Sequence, residues 1–257
     1  MRANPVKEKL ARGERVFGTM VFEFASPGLP AILANAGADY VLYDMEHSGL
    51  GMDDMKTQFA LCRAAGIVPM VRPPAKQYHL LSLLLDLGAM GLMLPMVESR
   101  EEAERIVSWT RYPPQGVRGA MFMGAHDDYA PGDVGEKMKI AHERTLVLAL
   151  IETKKGVENV DEIVATPGID VAHLGHFDLS LSMGMPAGFE RPEMKAAFAS
   201  IVAACRKHGK TAGCMAGNVE QGRGWMKDGF RMVSYSGDIW LVMEGLSRGI
   251  RALRQEG

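Results

Sequence analysis

The chain has 257 residues, 47% of them hydrophobic, and a formal net charge of −2. That is enough apolar material for two small domains or one large α/β barrel. The near-neutral balance argues against nucleic acid or an anionic membrane surface as partner, and no uninterrupted apolar run reaches the ~18 residues of a membrane span.

The first element, "KEKLARGER" at 7–15, reads as a solvated helix face, and no apolar leader precedes it. After it, short β-rich apolar runs alternate with helical patterns. The runs are 15–21 "RVFGTMV", 39–44 "DYVLYD", 67–72 "IVPMVR" and 91–97 "GLMLPMV". They continue as 146–152 "LVLALIE", 170–175 "DVAHLG", 210–215 "KTAGCM" and 231–236 "RMVSYS". Between the first two lies "SPGLPAILANAGA", with Ser26 as candidate N-cap and Pro27 just after it. "MDDMKTQFALCRAAG" and "SREEAERIVSWTR" carry apolar residues at spacings of three and four, as do "RPEMKAAFASIVAACRKHGK" and "IWLVMEGLSRGIRALRQ". Gly37, Gly66, Gly209 and Gly229 fall where helices end. Cys62, Cys205 and Cys214 stand singly, as small buried residues of a reducing compartment do, so a cytoplasmic protein is expected. The nineteen methionines read as core filler.

Eight strand–helix units with near-continuous apolar strands predict a (β/α)8 barrel over 1–257 as one domain. The alternative is a doubly wound open sheet, but "FGTMVFEFASPG" lacks the GxGxxG turn that would favour it. In a barrel, chemistry sits beyond the C-terminal ends of the strands. There the chain places Asp44, Glu46 and His47 after the second run, Arg72 after the third, Glu152 after the fifth and Asp178 after the sixth. Charges from four strands gathered at one mouth would be costly without a task.

Each has two readings. Glu152 and Asp178 either hold an octahedral divalent metal or cap helices. His47 beside Asp44 is either an acid–base pair, with the carboxylate orienting the imidazole, or a loop histidine. Arg72 either stabilises a developing enolate or forms a structural ion pair with Asp44 or Glu46. His176, inside "GHFD", is a candidate substrate contact, whereas His79, His126, His142 and His208 lack metal-ligand spacing. Lys154 and Lys155 sit on a solvated helix start rather than in a Schiff-base pocket.

Taken together, "YDMEHS", "VRPP", "RYPPQGVRG", "IETKKGVENVDEI" and "GHFDLSLSMG" resemble the HpcH/HpaI family of class II pyruvate aldolases, in order over nearly the whole chain. The resemblance implies a (β/α)8 barrel of the phosphoenolpyruvate/pyruvate type. It implies a homo-hexamer, a trimer of dimers that exchanges the last helix, acting on a small oxo acid and an aldehyde. It implies a divalent cation (Mg2+, Mn2+ or Co2+) on Glu152 and Asp178, with Glu46 near its waters. His47 would be the acid–base residue oriented by Asp44, and Arg72 would hold the pyruvate keto oxygen. The turn Gly175, His176, Phe177 and Asp178 would receive the carboxylate on its backbone amides.

The chain departs from that pattern at Leu150, where the family has glutamine. It departs again at His176–Phe177 and at Met121–Phe122–Met123. These changes predict a more apolar or aromatic acceptor aldehyde. The competing activities are a CoA-ester lyase or an oxaloacetate decarboxylase on the same scaffold. A non-catalytic binding protein is the third alternative.

Overall fold

The computed structural model describes residues 1–255. Eight parallel strands close into a barrel in chain order. They are β1 (Val16–Val21), β2 (Tyr40–Asp44), β3 (Val68–Arg72), β4 (Gly91–Leu94), β5 (Leu146–Ile151), β6 (Val171–Leu174), β7 (Thr211–Ala216) and β8 (Met232–Gly237). The last strand pairs in parallel with the first, which completes the (β/α)8 architecture.

Alternation along each strand divides the buried residues into two shells. Met20, Tyr40, Leu42, Met70, Met93, Leu148, Leu150 and Val171 fill the inside of the barrel. Val41, Tyr43, Val71, Leu92, Ala149, Ile151, Ala172 and Leu174 face the surrounding helices. Both faces are covered, so the strands read as unbroken apolar runs rather than alternating ones. Large inner side chains need small neighbours: a Cβ at Gly18 would stand 2.5 Å from the Tyr40 ring. That ring carries its hydroxyl to Ser234 Oγ, 3.0 Å away.

The helix Pro5–Ala11 closes the N-terminal end of the barrel and corrects the reading of "KEKLARGER" as merely solvated. Val6 and Leu10 are buried. Lys7 pairs with Asp170 at 3.0 Å and Lys9 with Asp39 at 2.6 Å. Asn4 caps the helix and donates from Nδ2 to the carbonyls of Met90 and Arg144. Ser26 is not a cap either: the next helix begins at Leu29 with Gly28 at its N-cap. The helix Met52–Ala65 ends as expected on Gly66, at φ +73°, where glycine has no Cβ penalty.

The last helix, Asp238–Gln255, is anchored only at its start. The Asp238 carboxylate accepts from the amides of Phe22, Glu23 and Phe24, tying the loop after β1 to it. Beyond that point Met243, Leu246, Ile250 and Leu253 form an exposed apolar stripe at spacings of three and four. No described helix is long and apolar enough to cross a membrane.

Candidate active site

Register places the first two charges. Asp44 of β2 lies opposite Arg72 of β3. Arg72 Nε and Nη2 donate to Asp44 Oδ1 and Oδ2, each at 2.7 Å. Asp44 is fully buried and Arg72 8% exposed, so this bidentate pair is desolvated and each partner needs the other. Burial would lower the Arg72 pKa, but the Asp44 hydrogen bond and charge outweigh it and the net shift is upward.

Asp44 also folds the loop that follows. Its oxygens accept from the backbone amides of Glu46 at 3.0 Å and His47 at 3.3 Å. Ser48 Oγ donates back to the Asp44 carbonyl. This corrects the expected His47–Asp44 acid–base pair. The carboxylate is consumed by Arg72 and the loop backbone, and it holds the His47 main chain rather than its imidazole. The imidazole side chain is 59% exposed, with Nε2 3.8 Å from Glu46 Oε2. The Gly51 that ends this loop is the N-cap of Met52–Ala65.

Glu152 follows β5 directly and is 3% exposed. Its Oε1 accepts from the Met96 amide at 2.7 Å. Met96 has φ +49°, a left-handed conformation that costs a non-glycine residue about 1–2 kcal/mol, so the loop after β4 is bent to deliver that amide. On the other side Gly175 makes room: a Cβ there would stand 2.6 Å from Glu152 Cβ and 2.7 Å from Oε2. Burial, then the neighbouring Asp178 and Glu46 charges, push the Glu152 carboxyl up to about 7 against the Met96 hydrogen bond and Arg72.

Asp178 is the third residue of the helix His176–Ser182 and is exposed at the rim, so it is not that helix's N-cap. Glu46 Oε2 lies 3.2 Å from Arg72 Nε but off hydrogen-bond geometry, and it is buried without a partner. Desolvation raises the Glu46 pKa, opposed by Arg72 and His47. Glu46 and Glu152 thus both act on a guanidinium that Asp44 already occupies.

His47, Arg72, Glu152, Gly175, His176, Phe177 and Asp178 line one cavity of about 180 Å³ at the C-terminal end of the strands. Its walls are Met20, Phe22, Met93, Leu150, Met215 and Trp240. A larger groove of about 820 Å³, between Arg15, Arg206, Lys210 and Arg231, holds none of the strand-end charges. The His176 ring packs against Phe177, Phe189 and Trp225 at centroid distances of 4.6, 4.9 and 5.1 Å. Desolvation lowers its pKa to about 4, so it meets the cavity as a neutral, largely aromatic wall.

Of the three departures tied to the acceptor, Leu150 and Phe177 line the cavity and Phe122 does not. Phe122 packs on Tyr112 and His126, at 5.5 and 6.0 Å. Lys154 and Lys155 are exposed and pair with Glu158 and Glu98.

Motif reasoning passed over one polar lining residue, His173. It belongs to "VAHLG" of β6, and strand alternation from Gly175 would have placed it on the inner face. Trp240 and Phe22 were also missed. They stack edge to face at 5.2 Å across the tie made by Asp238, and sequence spacing carries no sign of that contact.

The model of the HpcH/HpaI aldolase/citrate lyase family matches residues 19–244. The chain belongs to the HpcH/HpaI aldolase/citrate lyase family. It is 31% identical over 260 residues to a hydroxypyruvate/pyruvate aldolase of Paraburkholderia phytofirmans, covering 98% of each chain. It is 33% identical over 246 residues to a 2-keto-3-deoxy-L-rhamnonate aldolase of Salmonella paratyphi B, covering 95% of this chain and 91% of the other. The solved HpcH/HpaI aldolase from Desulfitobacterium hafniense superposes with a TM-score of 0.92 at 29% identity, covering 97% and 96% of the two chains. This HpcH/HpaI chain is accordingly an enzyme, a carbon–carbon lyase of the aldolase kind.

Proposed function

We propose that this HpcH/HpaI enzyme is a metal-dependent class II pyruvate aldolase that cleaves and forms 4-hydroxy-2-oxo acids. One observation carries the reading. Buried Arg72 and Glu152 meet exposed Asp178 and His47 in one small cavity, and half-buried Glu46 adds a further carboxylate beside Arg72, its Oε2 3.2 Å from Nε.

The residues present fit a divalent cation. Glu152 and Asp178 are hard oxygen donors, and Glu152 is held in a form that gains from a nearby positive charge. Among the described residues no group of three or more His, Cys, Asp or Glu side chains is arranged to hold a metal. Two carboxylates as the protein's ligands would leave room for waters and substrate oxygens. A bound Mg2+, Mn2+ or Co2+ would supply Lewis acidity at the 2-oxo group.

The rest falls to the chain's own side chains. Arg72, locked by Asp44, points fixed positive charge at the oxygen that becomes the enolate oxygen. His47, exposed at the rim beside Glu46, takes the proton from the 4-hydroxyl. The C3–C4 electron pair then passes into the enolate, the aldehyde leaves, and C3 is protonated to give pyruvate. Asp44 is a positioning residue, acting through Arg72 and through the loop that carries His47. The substrate carboxylate is received by the amides of His176, Phe177 and Asp178, which have no intrahelical partner, whereas the Gly175 amide donates to the Ile151 carbonyl. Leu150 and Phe177 line the cavity with apolar surface, which favours apolar or aromatic acceptors.

Pyruvate release from a panel of 4-hydroxy-2-oxo acids, coupled to lactate dehydrogenase, tests the activity. Turnover should vanish with chelator and return with Mg2+, Mn2+ or Co2+. Turnover confined to CoA esters or to oxaloacetate would replace the reading.

The exposed stripe of the last helix fits exchange between subunits of a homo-hexamer. Leu246→Glu should then give a smaller species in sedimentation than the wild type. An unchanged sedimentation coefficient would remove that helix from the assembly.

A further inference from the structure

His173 is the polar side chain of the cavity floor to which the aldolase chemistry above gives no task. It lies on β6 in register with Leu150 of β5 and Gly213 of β7. It is 2% exposed, and neither ring nitrogen has a hydrogen-bond partner. The backbone at Leu174 and Cys214 lies near enough to oppose the downward shift of the ring's pKa, but it meets neither nitrogen in hydrogen-bond geometry. An imidazole always carries at least one N–H, and leaving a buried donor and a buried acceptor unmet costs the full desolvation penalty of both.

The fold nevertheless makes space for this ring. A Cβ at Gly213 would stand 2.7 Å from His173 Cδ2, so β7 carries glycine where a side chain would expel the imidazole. The side chains around it offer no replacement partner, because Met20, Met93, Leu150 and Met215 make up the rest of the floor. Desolvation, then the charge of nearby Arg72, keeps the ring neutral, with a pKa of about 3. A neutral ring with one donor and one acceptor open suits a hydroxyl, which is both. It does not suit a carboxylate or an ammonium group.

The position selects which hydroxyl. In the aldolase reading, on which this inference rests, the oxo acid sits between Arg72 and the Gly175–Asp178 turn. The aldehyde enters over Phe177 and Trp240 at the rim. The groove floor then lies under the third carbon of the oxo acid. That carbon bears only hydrogens in pyruvate and a hydroxyl in hydroxypyruvate, the two compounds joined in the name of the Paraburkholderia phytofirmans relative.

We propose that His173 hydrogen-bonds the 3-hydroxyl of a hydroxypyruvate-type oxo acid and sets this enzyme's preference for that donor over pyruvate.

The test compares hydroxypyruvate and pyruvate as donors, with the aldehyde that gives the wild type most product from pyruvate. The proteins are wild type, His173→Phe and His173→Gln, each loaded with the same divalent cation. Wild type should favour hydroxypyruvate in kcat/KM by about 10-fold or more. His173→Phe should lower kcat/KM for hydroxypyruvate by about 10- to 100-fold, the size of one lost buried hydrogen bond, chiefly through KM. Its kcat/KM for pyruvate should fall by a smaller factor, so that the hydroxypyruvate-to-pyruvate ratio drops by about 10-fold or more, and thermal melting shows that the variant is folded. His173→Gln, which keeps a donor and an acceptor, should recover part of the hydroxypyruvate preference.

A wild type that turns over pyruvate without favouring hydroxypyruvate overturns the His173 assignment alone. So does a His173→Phe protein that loses both donors equally, or neither. Failure of the wild type with both oxo acids overturns the aldolase reading and this inference with it.

Discussion

Arg72→Ala should lower kcat/KM for pyruvate release by about 1000-fold or more and also destabilise the fold by about 3–5 kcal/mol. The two losses have separate causes. The first is removal of the fixed charge that faces the enolate oxygen. The second is the fate of Asp44, fully buried and left with two backbone amides as its only partners. Arg72→Lys keeps a charge but not the fork that meets both carboxylate oxygens at 2.7 Å. It should fall between wild type and alanine in both assays. Urea denaturation with the coupled pyruvate assay reads both quantities on the same preparations. An Arg72→Ala protein of wild-type stability would show that the bidentate pair does not hold β2 to β3.

The second large effect concerns Glu152 in cation-free protein. Its carboxyl titrates near 7 in the fold and near 4.5 in the unfolded chain. Between those values the folded protein holds a proton that the unfolded one has released, so stability falls as pH rises through this window. At about 1.4 kcal/mol per pH unit the loss is on the order of 3 kcal/mol. Glu46 shifts the same way. His173 and His176 shift oppositely: their folded pKa values lie below the usual histidine value, so their contribution is lost as pH falls. The informative quantity is therefore the difference between wild type and Glu152→Gln. In chelator, thermal melts of the glutamine variant should gain on wild type as pH rises from 4.5 to 7. Added Mg2+ or Mn2+ should raise the wild-type Tm at pH 7 and leave the variant nearly unmoved. Equal cation shifts in the two proteins would take Glu152 out of the cation site.

The barrel was legible in the sequence because both faces of nearly every strand are buried, with Phe17 of β1 exposed. Each strand therefore appears as an apolar run, and the glycines at helix ends mark the spaces between. The strand-end charges were legible for the same reason, since Asp44, Arg72 and Glu152 each interrupt such a run. Pairing was not legible. Asp44 and His47 are three apart in the chain, but the register of β2 on β3 brings Arg72 to the carboxylate first. His173 was hidden by its own strand. Inside "VAHLG" it looks like a member of an apolar run, and only the inward alternation of β6 distinguishes it. Phe122 failed in the opposite direction: its place in a loop after a family-like motif suggested the mouth, whereas its ring packs on Tyr112 and His126.

Three of the side chains walling the cavity are methionines, Met20 from β1, Met93 from β4 and Met215 from β7. Unbranched thioethers have shallow torsional preferences and reshape at little cost. The charges are held rigidly by register and bidentate bonding, while the surface beneath them yields. Such a division separates reactivity from fit. In the aldolase reading proposed above, oxo acids with different groups on the third carbon could be admitted by altering the soft floor without disturbing the buried Asp44–Arg72 pair.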